Sequence, residues 1–134
     1  MARGTYISRG RQERNHAMSK EFNIDNGNGT TDDDCILHCN TGIEIKSAKI
    51  VYTEQTDSGD ASSAHVKVGT TVGGVDVVAQ TALGNAAAAN SETALTLVDP
   101  KINAGESVWV RHTGVASTQV GKYKIAIEYV VDHA

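Results

Sequence analysis

Apolar and polar residues alternate with a period of two through most of the chain after Ile36. The clearest run closes the sequence, where every second position is apolar: Tyr123, Ile125, Ile127, Tyr129 and Val131. Successive side chains of a strand point to opposite faces, so such runs predict β-strands with one face in a core. Similar runs occupy residues 43–52, 66–68, 75–79, 95–97 and 108–112.

Turn signals separate these runs. Gly73-Gly74 can supply the positive φ values of a tight hairpin, and residues 103–106 have the composition of a turn. The run that starts at Ile43 changes parity near Ser47, which predicts a β-bulge there. Six or seven strands without a long helical pattern predict an all-β fold, an antiparallel β-sandwich or jelly-roll-like body.

The first 34 residues differ from the rest in charge. Residues 1–20 hold four arginines and one lysine against one acid, whereas residues 21–34 hold five acids and no basic residue. Neither stretch has a sustained hydrophobic period, so we predict an extended basic N-terminal arm and an acidic Asn/Gly-rich linker over residues 1–34. A short helix over residues 11–20 is compatible with the same composition. The β-sandwich domain is predicted at residues 35–134.

The arm is the most informative functional feature of the sequence. Its arginines can make charge-assisted contacts with an acidic surface. Two apolar residues in its middle favour docking on a partner, since a tail that only solvates itself needs neither; the alternative is such a solvated tail. The predicted partner-binding residues are Arg3, Tyr6, Ile7, Arg9, Arg11 and Arg14.

The face opposite the main apolar stripe is not wholly polar. It carries Val78, Val98, Trp109, Ala126 and Val130. In a two-layer sandwich this face meets water, so apolar residues on it indicate a subunit contact, although scattered surface apolar residues are the alternative. We take three residues as candidate oligomer contacts: Trp109, Arg111 and Val130.

Charge and hydropathy exclude several partners. The net charge is −4 and the basic residues concentrate in the arm, so direct nucleic-acid binding is not expected, because phosphate neutralisation needs a basic face. No apolar run approaches the roughly 18 residues of a membrane span, and residues 1–20 lack the apolar segment of a secretory signal. We therefore expect a soluble protein, without membrane contact, that is made in a cytoplasm.

One ligand-like cluster occurs, between Asp32 and Cys39. Thiolate and imidazole suit zinc, but no second pair at zinc-finger spacing follows, so we interpret it as an acidic loop that leads into a strand. Cys35 and Cys39 are too close along an extended segment to pair, and we expect free thiols. We predict neither a metal nor another cofactor.

Catalytic motifs are also missing from the sequence. None of the five histidines lies in a nucleophile-elbow context, and no glycine-rich phosphate loop is present. We expect a protein that is not an enzyme. A small β-sandwich enzyme that uses His112 is kept as a rival hypothesis.

Four segments resemble small head proteins of tailed bacteriophages, in the capsid decoration or cement class. They are IKSAKIVYTEQT, VKVGTTVGGVDVVAQTAL, INAGESVWVRHTG and GKYKIAIEYVVD, within about two-thirds of the chain. The resemblance implies a β-sandwich that clusters as trimers or similar oligomers on an icosahedral shell and clamps neighbouring major capsid subunits. It also implies an N-terminal arm that reaches across the shell surface.

On this basis we expect a structural virion protein on the capsid surface, made in the bacterial host cytoplasm. It would stabilise the shell by binding the major capsid protein, as a homo-oligomer with a trimer favoured. The alternative is a receptor- or carbohydrate-binding β-sandwich module of a phage fibre or adhesin. That module needs exposed aromatics on loops, whereas Trp109 and all tyrosines except Tyr6 lie within predicted strands.

Overall fold

A computed structural model of the chain describes residues 18–25, 31–115 and 120–131. These residues form nine strands and one short 3-10 turn at Ala61–Ser63. The strands are β1 (Met18–Asp25), β2 (Thr31–His38), β3 (Ile43–Tyr52), β4 (His65–Gly69), β5 (Val78–Ala82), β6 (Glu92–Ala94), β7 (Lys101–Ile102), β8 (Ser107–Thr113) and β9 (Lys122–Val131).

The strands form two sheets, which we call sheet A and sheet B. Sheet A has the order β1-β9-β3-β6, with β7 also paired to β3, and sheet B has the order β2-β8-β4-β5. All of these pairs are antiparallel. The prediction of an all-β sandwich is therefore confirmed.

The core lies between the sheets and is built mainly by the period-two runs of β3, β8 and β9. The runs predicted at residues 75–79 and 95–97 are wrong in their bounds, because the strands there are Val78–Ala82 and Glu92–Ala94. On β8, buried residues alternate with partly exposed ones, and Val108 and Val110 are 0% and 1% exposed. Sheet A contributes Ile50 on β3 and Ile125 on β9, which are both completely buried. Each such aliphatic side chain contributes about 1.5–3 kcal/mol when fully buried. These residues hold the two layers together.

The predicted bulge and the predicted turn at residues 103–106 are present, whereas the prediction of a tight hairpin at Gly73-Gly74 is wrong, because residues 70–77 separate β4 from β5 and only Gly73 of the pair has a positive φ. The pairing of β3 with β9 shifts register between Ile45 and Ser47. The β4–β5 hairpin turns through Gly73, whose φ is +73°, and the turn before β8 has Gly105 at φ +89°. Glycine reaches these backbone conformations without the strain of a Cβ, which explains why glycine occupies both positions.

The two long sides of the sandwich differ. On one side the segment between β6 and β7 crosses to β5, where Leu97 bridges Val78, and the amide of Val98 donates to the carbonyl of Val77 at 2.8 Å. On the other side β1 and β2 are the edge strands of the two sheets. Within the described ranges they are not paired with each other. We call this the open side.

The sandwich begins earlier than we predicted. Met18–Asp25 pairs with β9 along its whole length, and Thr31 to Asp34 pairs with β8, so both segments belong to the sheets although they precede Cys35. These charged segments can form strands because β1 and β2 lie at the edges of their sheets, and edge strands tolerate charged residues that a central strand would not. Residues 1–17 and 26–30 lie outside the described residues, and the arm remains a prediction.

Candidate interaction surfaces

The predicted partner-binding residues of the arm all precede the described part of the chain. They are Arg3, Tyr6, Ile7, Arg9, Arg11 and Arg14, and their role stays a prediction. The first described residue, Met18, starts the edge strand β1 of sheet A. The arm therefore joins the sandwich at its open side.

The structure separates the three candidate oligomer contacts. Trp109 and Arg111 alternate with buried residues of β8, so both lie on the outer face of sheet B. Val130 alternates with the buried residues of β9 and lies on the outer face of sheet A. These faces are on opposite sides of the sandwich, so a single flat contact cannot use all three residues.

Two other residues of the predicted apolar face have different positions. Val98 lies in the loop after β6 and is 59% exposed, as a contact residue should be. Val78 is completely buried, which corrects its placement on the outer face. The pairing of β4 with β5 shifts register between Val66 and Val68, and this irregularity turns Val77 and Val78 both into the core.

Arg111 is already bound within the chain. Its Nε donates to Oδ1 of Asp33 at 2.7 Å, and its Nη2 donates to Oδ2 at 2.9 Å. These hydrogen bonds lower the pKa of Asp33, so the carboxylate stays ionised. The guanidinium also lies against the β4–β5 turn, where a Cβ on Gly73 would come within 2.8 Å of it. A partner that contacts Arg111 must add to this pair or displace Asp33.

Trp109 is a large apolar side chain on the outer face of sheet B, and the residues paired with it on the neighbouring strands are small. Its cross-strand neighbours are Cys35 on β2 and Gly69 on β4, which are both small. The indole is only partly buried in the monomer. A large, half-exposed aromatic between small neighbours is typical of the anchors that dominate protein interfaces.

Among the described residues, the outer face of sheet A carries three ion pairs, against one on the outer face of sheet B. Lys124 binds Glu21 at 2.8 Å, and Lys46 binds Glu44 at 3.2 Å. Lys49 and Glu92 form a further ion pair on the same face. Exposed pairs of this kind contribute little stability and suit a surface in water. Val130, which pairs with Glu44, lies in this charged environment, so sheet B offers the better contact face.

An apolar groove of about 230 Å³ lies at the open side of the sandwich. Its apolar lining comes from Met18 on β1, Leu37 on β2, Ile43 on β3, and Tyr129 and Val131 on β9. Three exposed polar residues also line it: His38, Asn40 and Thr41. Sequence reasoning missed this groove because its residues come from four strands and a loop, without any local pattern.

The thiol of Cys39 also lines the groove. The residue is 4% exposed and its thiol is free, whereas Cys35 is free and exposed. Burial raises the pKa of Cys39, which keeps it a neutral thiol at physiological pH. Both thiols are therefore free, as expected, and the thiol of Cys39 lies in the groove.

His112 and Tyr123 form a buried polar pair in the core. The Nδ1 of His112 is hydrogen-bonded to the hydroxyl of Tyr123, and both residues are 1% exposed. Burial raises the pKa of Tyr123, so the phenol keeps its proton. The Nε2 of His112 has no partner among the described residues. Such an inaccessible position argues against the rival hypothesis in which His112 is a catalytic base.

The described ranges 18–25, 31–115 and 120–131 contain neither a metal site nor a membrane-spanning helix. No group of three or more His, Cys, Asp or Glu side chains there is placed to hold a metal ion. No helix in the described part of the chain has the length and apolar character needed to cross a bilayer.

Comparison with known proteins gives one informative similarity. No protein-family model matches the sequence. No curated protein matches it either. Among solved structures, the chain is similar to a chain of the Cyanophage Pam1 capsid asymmetric unit, with a TM-score of 0.59 and 13% sequence identity. The alignment covers 87% of this chain and 84% of that chain. At this identity the similarity shows a common fold.

Proposed function

We propose that this chain is a structural virion protein that decorates a bacteriophage capsid and stabilises it by binding the shell of the major capsid protein. The observation that supports the proposal most is the fold shared with a chain of a phage capsid asymmetric unit over 87% and 84% of the two chains. Since the two shares are nearly equal, the chains are also similar in length.

The strand order adds support. One sheet runs β1-β9-β3-β6 and the other β2-β8-β4-β5, so each sheet combines early and late strands of the chain. We classify this arrangement as a jelly roll, an architecture that recurs in viral capsid and lectin domains. The buried core gives a rigid body that can bridge shell subunits without deforming.

In the proposed mechanism the arm binds the shell and the body forms the oligomer. The arginines of residues 3–14 make charge-assisted contacts with acidic groups of the major capsid protein. A protein that binds only the assembled shell stabilises it by mass action. The body associates with copies of itself, as a trimer, through the outer face of sheet B around Trp109. No catalytic step is part of this function.

Co-sedimentation with undecorated phage heads tests the proposal. The full chain should pellet with the heads, and Arg9→Gln with Arg11→Gln should weaken binding by roughly tenfold or more for each lost charge-assisted contact. The matched control is Lys101→Gln with Lys122→Gln, which removes two exposed positive charges from the body. Equal pelleting of the arginine variant and this control would contradict the role of the arm.

Two measurements address the rest of the proposal. Light scattering on the full chain should give the mass of a trimer, and Trp109→Ala should shift it toward the monomer. If the chain failed to bind heads and instead bound a glycan array, the fibre or adhesin module would replace the present proposal.

A further inference from the structure

We propose that the groove at the open side receives the side chain of Tyr6 from the N-terminal segment of a neighbouring copy. This inference rests on the proposed function in one respect, because the proposed homo-oligomer brings copies of the chain together. It names an occupant for the groove and gives the apolar part of the arm a separate role from its arginines.

Among the described residues, none covers the groove, which is an open part of the core. The opposite side of the sandwich is closed by backbone hydrogen bonds between β5 and the segment before β7. At the open side Met18 is 37% exposed, and Leu37 and Tyr129 are only partly buried where they pack against the core. Covering these side chains removes apolar surface from water, which favours an occupant.

The size and lining of the groove match one large amphipathic side chain. Its volume of about 230 Å³ lies below the roughly 300–1,000 Å³ of pockets that hold drug-sized ligands. The apolar wall suits an aromatic ring, and the exposed polar groups of His38, Asn40 and Thr41 can pair with a hydroxyl. A tyrosine has both parts, an apolar body and a polar tip.

The chain itself supplies such a residue next to the groove. Met18, which lines the groove, is preceded by residues 1–17, in which Tyr6 is the one aromatic residue. The stretch from Tyr6 to Met18 spans at most about 40 Å when extended, which is enough to reach an adjacent sandwich. Arg9, Arg11 and Arg14 lie in this stretch and repel one another, so it favours extension to a neighbour over a tight return to its own groove.

Disulfide trapping between two versions of the full chain tests the proposal, because Cys39 lines the groove. The donor carries Tyr6→Cys, Cys35→Ser and Cys39→Ser. The acceptor carries only Cys35→Ser and is labelled with ¹⁵N. Oxidised glutathione first caps the engineered thiol at position 6, which releases one reduced glutathione. At a pH high enough to ionise its buried thiol, Cys39 of the acceptor then displaces glutathione as the thiolate, so over both steps two thiols are oxidised and two glutathione molecules leave reduced.

We expect a mixed dimer whose disulfide joins the engineered thiol at position 6 to Cys39, as mapped by mass spectrometry. The matched control donor carries Ser8→Cys in place of Tyr6→Cys and should give severalfold less dimer. Equal yields from both donors would overturn the proposal. So would an intramolecular disulfide in a chain that carries Tyr6→Cys and Cys35→Ser but keeps Cys39, because the arm would then dock on its own body.

A second measurement covers the case in which Cys39→Ser disturbs folding. Tyr6→Ala keeps Cys39 and should raise the dissociation constant of self-association roughly 30-fold, the effect of removing an aromatic hot spot. Unchanged self-association in sedimentation velocity would overturn the docking of Tyr6. Both experiments use the protein without phage heads, so their failure is distinguishable from a failure of shell binding.

Discussion

The buried pair of His112 and Tyr123 gives a quantitative test of the core. Tyr123→Phe removes one oxygen and almost no volume, so it probes the hydrogen bond without leaving a cavity. The substitution leaves Nδ1 of His112 unpaired, in a ring whose Nε2 already has no partner among the described residues. A buried polar atom that loses its partner costs about 1–3 kcal/mol of folding free energy.

We therefore expect Tyr123→Phe to lower the free energy of unfolding by about 2 kcal/mol. With a urea m-value of about 2 kcal/mol/M, the unfolding midpoint falls by about 1 M. Urea unfolding followed by circular dichroism measures this shift. The control is Tyr129→Phe, which removes a hydroxyl from the same strand at a partly buried site and should change stability by less than about 0.5 kcal/mol.

A double variant distinguishes the energetic effect of the lost hydrogen bond from other effects of the substitution on stability. Replacing both polar partners by apolar groups of similar size is close to neutral, so Tyr123→Phe combined with His112→Leu should be more stable than Tyr123→Phe alone. An unchanged midpoint for Tyr123→Phe would refute the reasoning. A double variant whose loss equals the sum of the two single losses would also refute it, since the residues would then be independent.

Three further predictions concern the body. Burial lowers the pKa of His112; the charge of Asp32 opposes this shift and His65 adds to it. When the pH falls below about 6.5, His112 therefore takes up a proton in the unfolded chain before it does so in the folded chain. Stability should then decrease below that pH in the native chain and less in His112→Leu, as measured by urea midpoints across pH. A double-mutant cycle of Asp33→Ala and Arg111→Ala should give a small favourable coupling that weakens with added salt, and zero coupling would contradict the bidentate pair. Gly73→Ala forces a Cβ into a positive φ and against the guanidinium of Arg111, so it should cost at least about 1–2 kcal/mol, whereas Gly59→Ala, which meets only Asp57 at 3.8 Å, should be near neutral in thermal unfolding.

The central strands were predictable because their pattern has one physical cause. Val108, Val110, Ile125 and Ile127 alternate with outward residues since one face of each strand packs on the other sheet. Gly73 marked a turn because few other residues adopt its backbone angles at no cost. Local sequence was sufficient in both cases.

The edge strands were not predictable in the same way. The triplet Asp32 to Asp34 was interpreted as a loop, but it pairs with β8, and Asp33 binds Arg111 across 78 positions of sequence. Charged residues on an edge strand commonly protect a sheet against aggregation, so the aspartate triplet itself was the sequence signal for an edge strand. Which distant strands pair decides that Trp109 and Val130 lie on opposite sides of the sandwich. The same pairing creates the groove at the open side. That information is not contained in any local window.

Cryo-electron microscopy of the phage particle that contains this chain tests the proposed function most directly. We expect density for the two-sheet body on the outer surface of the shell, with the residues before Met18 extended along the major capsid protein and Tyr6 in the groove of an adjacent copy. Density for the body in the tail or in a fibre, with none on the shell, would contradict the proposed function.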